Sequence, residues 1–202
     1  FDAGPIENKK ITSEVCIPHL LFSSSDYENL GSLIKCNPSI KANSDKTALR
    51  QALKKGVIDY VATDHAPHIL SEKEKNYLNS PSGMPSVQHS FLAVLEMVHD
   101  GDLEITDVPK ITSHNVAKRF EIKDRGFINE GFWADLVLVN MNDSYEVKKE
   151  KIFYKCGWSP FESYTFKSRI IETIINGERV CCRGKILSDK IGRKLEFSRG
   201  HK

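Results

Sequence analysis

No window of the sequence approaches the ~18 to 20 consecutive apolar residues that a membrane-spanning helix requires. The N-terminus also lacks the apolar core of a signal peptide. A membrane partner is therefore not expected, and a cytoplasmic protein is. Cysteine is scarce and unpatterned. The five cysteines, at 16, 36, 156, 181 and 182, include no CxxC pair, and neighbours such as Cys181 and Cys182 point to opposite faces of a strand. This excludes a disulfide scaffold or a cysteine zinc cluster and predicts reduced, ordinary thiols. An excess of one charge is missing too. Lys and Arg number 29 against 27 Asp and Glu, and no basic cluster is interleaved with aromatics, which excludes a dedicated nucleic-acid surface. Lys148, Lys149 and Lys151 predict only a solvated loop.

What is present suits a folded chain of one large or two small domains, with 202 residues of which 40% are hydrophobic. Phe1 is not an initiator methionine, and the opening reads as loop, so a processed or truncated chain is expected. Lys10 to Val15 predicts a strand ending before Pro18. A helix follows Ser44 as N-cap, with Asp45 at its positive end, an apolar face of Ala48, Leu49, Ala52 and Leu53, and Gly56 as its stop. Val57 to Thr63 is the apolar, β-branched run of a buried parallel strand. Helix, glycine, strand and polar cluster in that order make the repeating unit of an α/β barrel. A long polar loop, 71–85, is expected next. A helix capped at Ser86 that buries Val87, Phe91, Leu92, Leu95 and Val98 follows, then a helical stretch over 107–120.

Near residue 122 the character changes to short strands: Gly126 to Gly131, Ala134 to Val139, Ile170 to Ile175 and Arg179 to Cys182. Asn176-Gly177 supplies a hairpin turn. The expected organisation is α/β. Residues 1–122 form the C-terminal part of a (β/α)8 barrel, about strands 7 and 8 with their helices, and residues 123–202 form part of a small β-sandwich with a tail.

Chemistry concentrates where the Val57–Thr63 strand ends, at Asp64-His65-Ala66-Pro67-His68. A carboxylate there can bind a divalent cation and exchange a proton with water. His68, four residues on across an Ala-Pro turn, can face a substrate over the same mouth. Equally, a strand-ending Asp can merely cap a loop, and on spacing alone both readings stand.

The segment Ile58 to His68 resembles the eighth-strand signature of dihydroorotases of the longer, bacterial and multifunctional-enzyme type. Ile11 to Leu21 resembles their seventh-strand segment, and Lys35-Cys-Asn-Pro-Ser-Ile-Lys41 their Asn-Pro substrate loop. Gly126 to Val139 is similar to a run common across amidohydrolases, and Cys156-Gly-Trp-Ser-Pro-Phe-Glu162 to a dihydroorotase tail motif. The resemblance extends to about residue 187.

It implies a zinc-dependent, reversible hydrolysis of the cyclic amide of dihydroorotate to N-carbamoyl-L-aspartate, a step of de novo pyrimidine biosynthesis, with two zinc ions per complete site. Asp64 then corresponds to the metal-binding aspartate that doubles as general acid/base. Asn37, His68, Ser82 and Gly83 correspond to substrate-binding positions, although the family more often has a bulkier apolar residue where Ser82 stands. His65 is expected to fix its loop, and Glu14 to be a weak candidate for supporting the metal from the seventh strand. His19 is expected not to be a ligand. His89, His99, His114 and His201 are read as surface or helix residues, and Trp133, Trp158 and Phe161 as packing.

The sequence contains no His-x-His, and its first histidine is His19. The remaining zinc ligands are therefore expected from the N-terminal half of the same enzyme, and the isolated chain is expected to be inactive. A homo-oligomer is compatible with this reading. A related cyclic amidohydrolase (allantoinase or dihydropyrimidinase type) and a non-catalytic dihydroorotase-like subunit are the alternatives.

Overall fold

A computed structural model describes residues 1–188 and 192–198; His201 lies outside the described residues. The first strand, β1 (Glu14–Cys16), runs into the short helix α1 (Ile17–Leu21), and α2 (Tyr27–Leu30) follows. The longer α3 (Asn43–Lys54) leads to β2 (Tyr60–Ala62), and then come α4 (Leu70–Lys73) and α5 (Ser90–His99). α6 (Asp107–Pro109), a wider helical turn over Lys110–His114 and α7 (Asn115–Phe120) complete the helical part. The rest is β-rich: β3 (Leu136–Asn140), β4 (Tyr145–Glu146), β5 (Thr165–Phe166), β6 (Arg169–Ile175), β7 (Glu178–Cys182) and β8 (Lys185–Ile186).

β1 and β2 pair in parallel, Val15 opposite Val61, so their C-terminal ends open on the same side. Asp64 follows β2 at that side. Gly56 ends α3 at φ +65, its amide bonded to Leu53 O at 3.0 Å. The helix begins two residues earlier than expected, with Ala42 rather than Ser44 at its N-cap position, and no side chain caps it. Leu53 is buried, whereas Ala48 is exposed. β3, β6, β7 and β8 form an antiparallel sheet, with Asn176 and Gly177 both at positive φ in the β6–β7 turn, as a type I′ hairpin requires.

Two further expectations need correction. The helix α5 starts at Ser90, not after Ser86, because the Ser86 hydroxyl is spent on Thr63 O at 2.6 Å and holds the loop to the strand end. Val87 is consequently in the preceding turn and 53% exposed. Gly126 to Gly131 forms no strand. Its Ile128 side chain is 87% exposed.

One core joins the two parts. Leu92, Val94 and Leu95 of α5 pack with Val15, Ile17 and Leu53 on one side and with Phe161 and Phe166 on the other. Glu96 secures the join: its buried carboxylate accepts from the backbone N–H of Lys167 at 2.6 Å. His89 lies in the same seam, and here the surface reading fails. Its ring is 1% exposed and stacks near Phe166, with Tyr145, Tyr154 and Phe161 around it. Nδ1 meets Ser159 Oγ at 3.3 Å, and Nε2 has no hydrogen-bond partner among the described residues.

Burial pushes the His89 imidazole down to about 4. Its folded pKa is therefore below the ordinary value of about 6.5, so the unfolded chain binds the proton more readily. Stability from this group is complete above pH 6.5 and is lost as pH falls towards 4. At about 1.36 kcal/mol per unit the loss is on the order of 3 kcal/mol. Denaturant titrations at pH 7 and pH 4 are expected to show this drop, and His89→Phe should flatten it. An equal drop in both proteins would reject the assignment.

Candidate active site

Three segments converge at the C-terminal ends of β1 and β2. The first is Asp64–His68. Asp64 takes a left-handed backbone at φ +49, a conformation that Asp and Asn tolerate best among non-glycine residues. Its exposed carboxylate makes no hydrogen bond or ion pair among the described residues. Its charge is felt by two thiols. Burial first, then the Asp64 carboxylate, raises both Cys16 and Cys36 to about 11, so both stay protonated near neutral pH. Cys36 precedes Asn37 in the Asn-Pro loop.

The second segment is that loop. His19 Nε2 contacts Pro38 O at 2.8 Å and Cys36 Sγ at 3.8 Å, so His19 steadies the loop. The Asn37 side chain is exposed and makes no hydrogen bond among the described residues.

The third segment is Pro81–Met84. It lies along the first: the amide of Ala66 donates to Met84 O at 3.1 Å, and His68 Nε2 contacts Ser82 O at 3.1 Å. Gly83 sits at φ +123, and a Cβ there would meet Ala66 O at 2.6 Å and Ala66 Cβ at 2.8 Å. Only glycine allows so close a backbone approach. The Gly83 amide reaches across to Lys35 O at 2.8 Å, closing the three segments into one cradle. The loops that carry Asn37, His68, Ser82 and Gly83 are thus tied together at the strand end that Asp64 follows. Glu14 pairs with Tyr60 at the opposite end of the strands, on the order of 10 Å away at ~3.3 Å per residue.

Supporting contacts come from outside the three segments and from within the first. His65 Nδ1 accepts from the amide of Ser86 at 3.1 Å and so holds the loop. The Trp158 indole donates to His68 O at 2.8 Å, linking the tail motif to the cradle. Trp158 is buried beside Ile34, Cys36 and Met84, while Trp133, 39% exposed, faces the Arg193 and Arg125 guanidiniums. Lys73 is fully buried under the cradle. Its three donors can meet three backbone carbonyls: Lys35 O at 3.3 Å, Pro81 O at 2.8 Å and Gly83 O at 2.7 Å.

Compared with known proteins, residues 6–180 match the model of the amidohydrolase family. The chain belongs to that family. This amidohydrolase chain is 37% identical over 153 residues to a dihydroorotase of Halobacterium salinarum, covering 76% of the chain and 36% of the relative. It is 32% identical over 185 residues to a dihydroorotase of Pyrococcus abyssi, covering 92% of the chain and 44% of the relative. Among solved structures, L-hydantoinase (dihydropyrimidinase) from Arthrobacter aurescens superposes with a TM-score of 0.84 at 23% identity, over 91% of this chain and 42% of that one. Dihydropyrimidinase from Brevibacillus agri gives 0.80 at 21%, over 90% and 41%. These similarities show the metal-dependent hydrolase barrel fold, of which this chain spans about two-fifths of the relatives' length. No helix among the described residues is long and apolar enough to cross a membrane.

The donor set of this amidohydrolase chain fits a cation only in part. No group of three or more His, Cys, Asp or Glu side chains among the described residues could hold a metal ion. The cradle offers one unpartnered carboxylate, Asp64, in the open position a shared ligand needs.

Proposed function

We propose that this chain forms the substrate wall and one metal ligand of a dihydroorotase, which reversibly hydrolyses dihydroorotate to N-carbamoyl-L-aspartate in pyrimidine synthesis. The observation that carries the reading is the convergence of Asn37, His68 and the Ser82-Gly83 turn on the free Asp64 carboxylate. In this proposal residues 1–122 belong to the barrel. Residues 123–202 form part of a small sandwich, and the N-terminal half of the same enzyme supplies the other strands and ligands. The chain alone would be inactive.

Asp64 would help hold the zinc pair, which when bound supplies Lewis-acid chemistry at the amide carbonyl. The same carboxylate is placed to carry a proton to the amide nitrogen as it leaves. Asn37 offers an unspent amide to a carboxylate or carbonyl of the substrate. His68 faces the same opening, held by Ser82 O, and its Nδ1 lies 3.6 Å from Glu72.

A second reading, a hydantoinase or dihydropyrimidinase, is favoured by the structural superpositions. A substrate panel on the assembled enzyme separates the two. Turnover of dihydroorotate well above that of hydantoin and dihydrouracil is expected, and the reverse order would replace the first reading with the second. His68→Ala is expected to raise KM about tenfold, the loss of roughly one charge-assisted contact, with metal content by atomic absorption unchanged. Loss of metal instead would reject this role for His68.

A further inference from the structure

Lys73 is fully buried, and it has no carboxylate partner among the described residues. A buried ammonium without a counter-ion is costly to a fold, and here burial, with the nearby Lys35 charge, brings it down to about 8. A methionine would fill the same space without that cost. What the ammonium gains is specific. It gathers carbonyls from two loops, Lys35 O from one and Pro81 O with Gly83 O from the other. Its own helix is tied in as well, because the Ser32 hydroxyl donates to Lys73 O. Lys35 makes the complementary strap, its Nζ donating to Tyr77 O at 2.7 Å and Ser80 O at 2.6 Å. Asn37 and Ser82, on the far side of the pinned backbone, are left exposed to the opening.

We propose that Lys73 is a positioning residue whose buried ammonium clamps the Asn37 loop to the Ser82-Gly83 turn and so sets the spacing of the substrate cradle. The proposal rests on the reading of this cradle as the substrate site. Lys73 does not touch the substrate; it acts through the two loops.

The test uses Lys73→Met and Lys73→Arg in the assembled enzyme with dihydroorotate. Lys73→Met is expected to raise KM at least tenfold while kcat stays within threefold, metal content is unchanged and the melting temperature does not fall. Lys73→Arg, which keeps charge and donors, should recover part of the lost affinity. A KM within twofold of the unmodified enzyme in Lys73→Met would overturn the proposal, as would a parallel fall in kcat, metal content and melting temperature.

Hydrogen exchange separates this outcome from failure of the functional reading. Even if dihydroorotate is not turned over, segments 35–38 and 81–84 should exchange at least tenfold faster in Lys73→Met, with the β6–β7 hairpin unchanged. Equal exchange in both proteins would overturn the clamp. Should Lys73→Met not fold, the unmodified protein decides. The Gly83 amide should exchange as slowly as those of α5, and exchange as fast as the exposed 76–79 turn would refute the clamp.

Discussion

Asp64→Asn in the assembled enzyme is expected to lower kcat by about 10³-fold, within the range for losing a positioned acid/base group, and to reduce bound metal. Asparagine is the informative replacement. It keeps the shape and tolerates the left-handed backbone at φ +49, so the change removes charge and basicity without straining the turn. The carboxylate makes no hydrogen bond or ion pair among the described residues. Its removal should therefore leave the melting temperature within a degree or two. Kinetics with metal analysis would check this, and undiminished turnover would remove Asp64 from the chemistry.

The second large effect is structural. Lys9 and Asp59 form an ion pair at 2.6 Å with side chains only 3% and 2% exposed. The Lys9 ammonium also donates to Gly56 O at 2.6 Å, and the second Asp59 oxygen accepts from the amide of Ser13 at 2.9 Å. Asn115 adds a bond from α7 to Asp59 O at 2.7 Å. The pair thus fastens the segment before β1 to the start of β2 and sets the register of the strands that carry the site. Lys9→Met strands a buried carboxylate and is expected to destabilise by about 3–5 kcal/mol. Adding Asp59→Asn should recover a substantial part, because the stranded charge is then gone. Urea unfolding of both variants and the unmodified protein would measure it. A loss below about 1 kcal/mol for Lys9→Met would mean that water reaches the pair.

The parts of the fold legible in the sequence are those fixed by neighbours along the chain. Gly56 stops α3 because its own backbone turns left, Val57 to Thr63 announces by composition a strand that pairs only over Tyr60–Ala62 and is buried only in part, and Asn176-Gly177 dictates its hairpin. Ser86 misled because a serine hydroxyl can cap a helix or hold a distant carbonyl, and Thr63 O, 23 residues away, decides which. Gly126 to Gly131 has the apolar residues of a strand, but Phe127 stacks on His114 and no strand pairs with the segment among the described residues. The burial of His89 depends on aromatics from the β-rich part, invisible from its own neighbourhood. At the site, the resemblance pointed to Asp64, Asn37, His68 and the Ser82-Gly83 turn, and the fold brings their segments together. Lys73 left no mark, and Trp158 read only as packing within the tail motif, since both bind backbone carbonyls, and a carbonyl carries no residue identity.

The indole of Trp158 reaches back 90 positions to the carbonyl of His68. On a ribosome adding ~5–20 residues per second, the histidine loop would wait several seconds for this prop. During that interval the nascent chain holds an unfinished catalytic mouth, with Ile34, Cys36 and Met84 still uncovered by the indole. Completion of the cradle is thereby deferred until Trp158 has emerged.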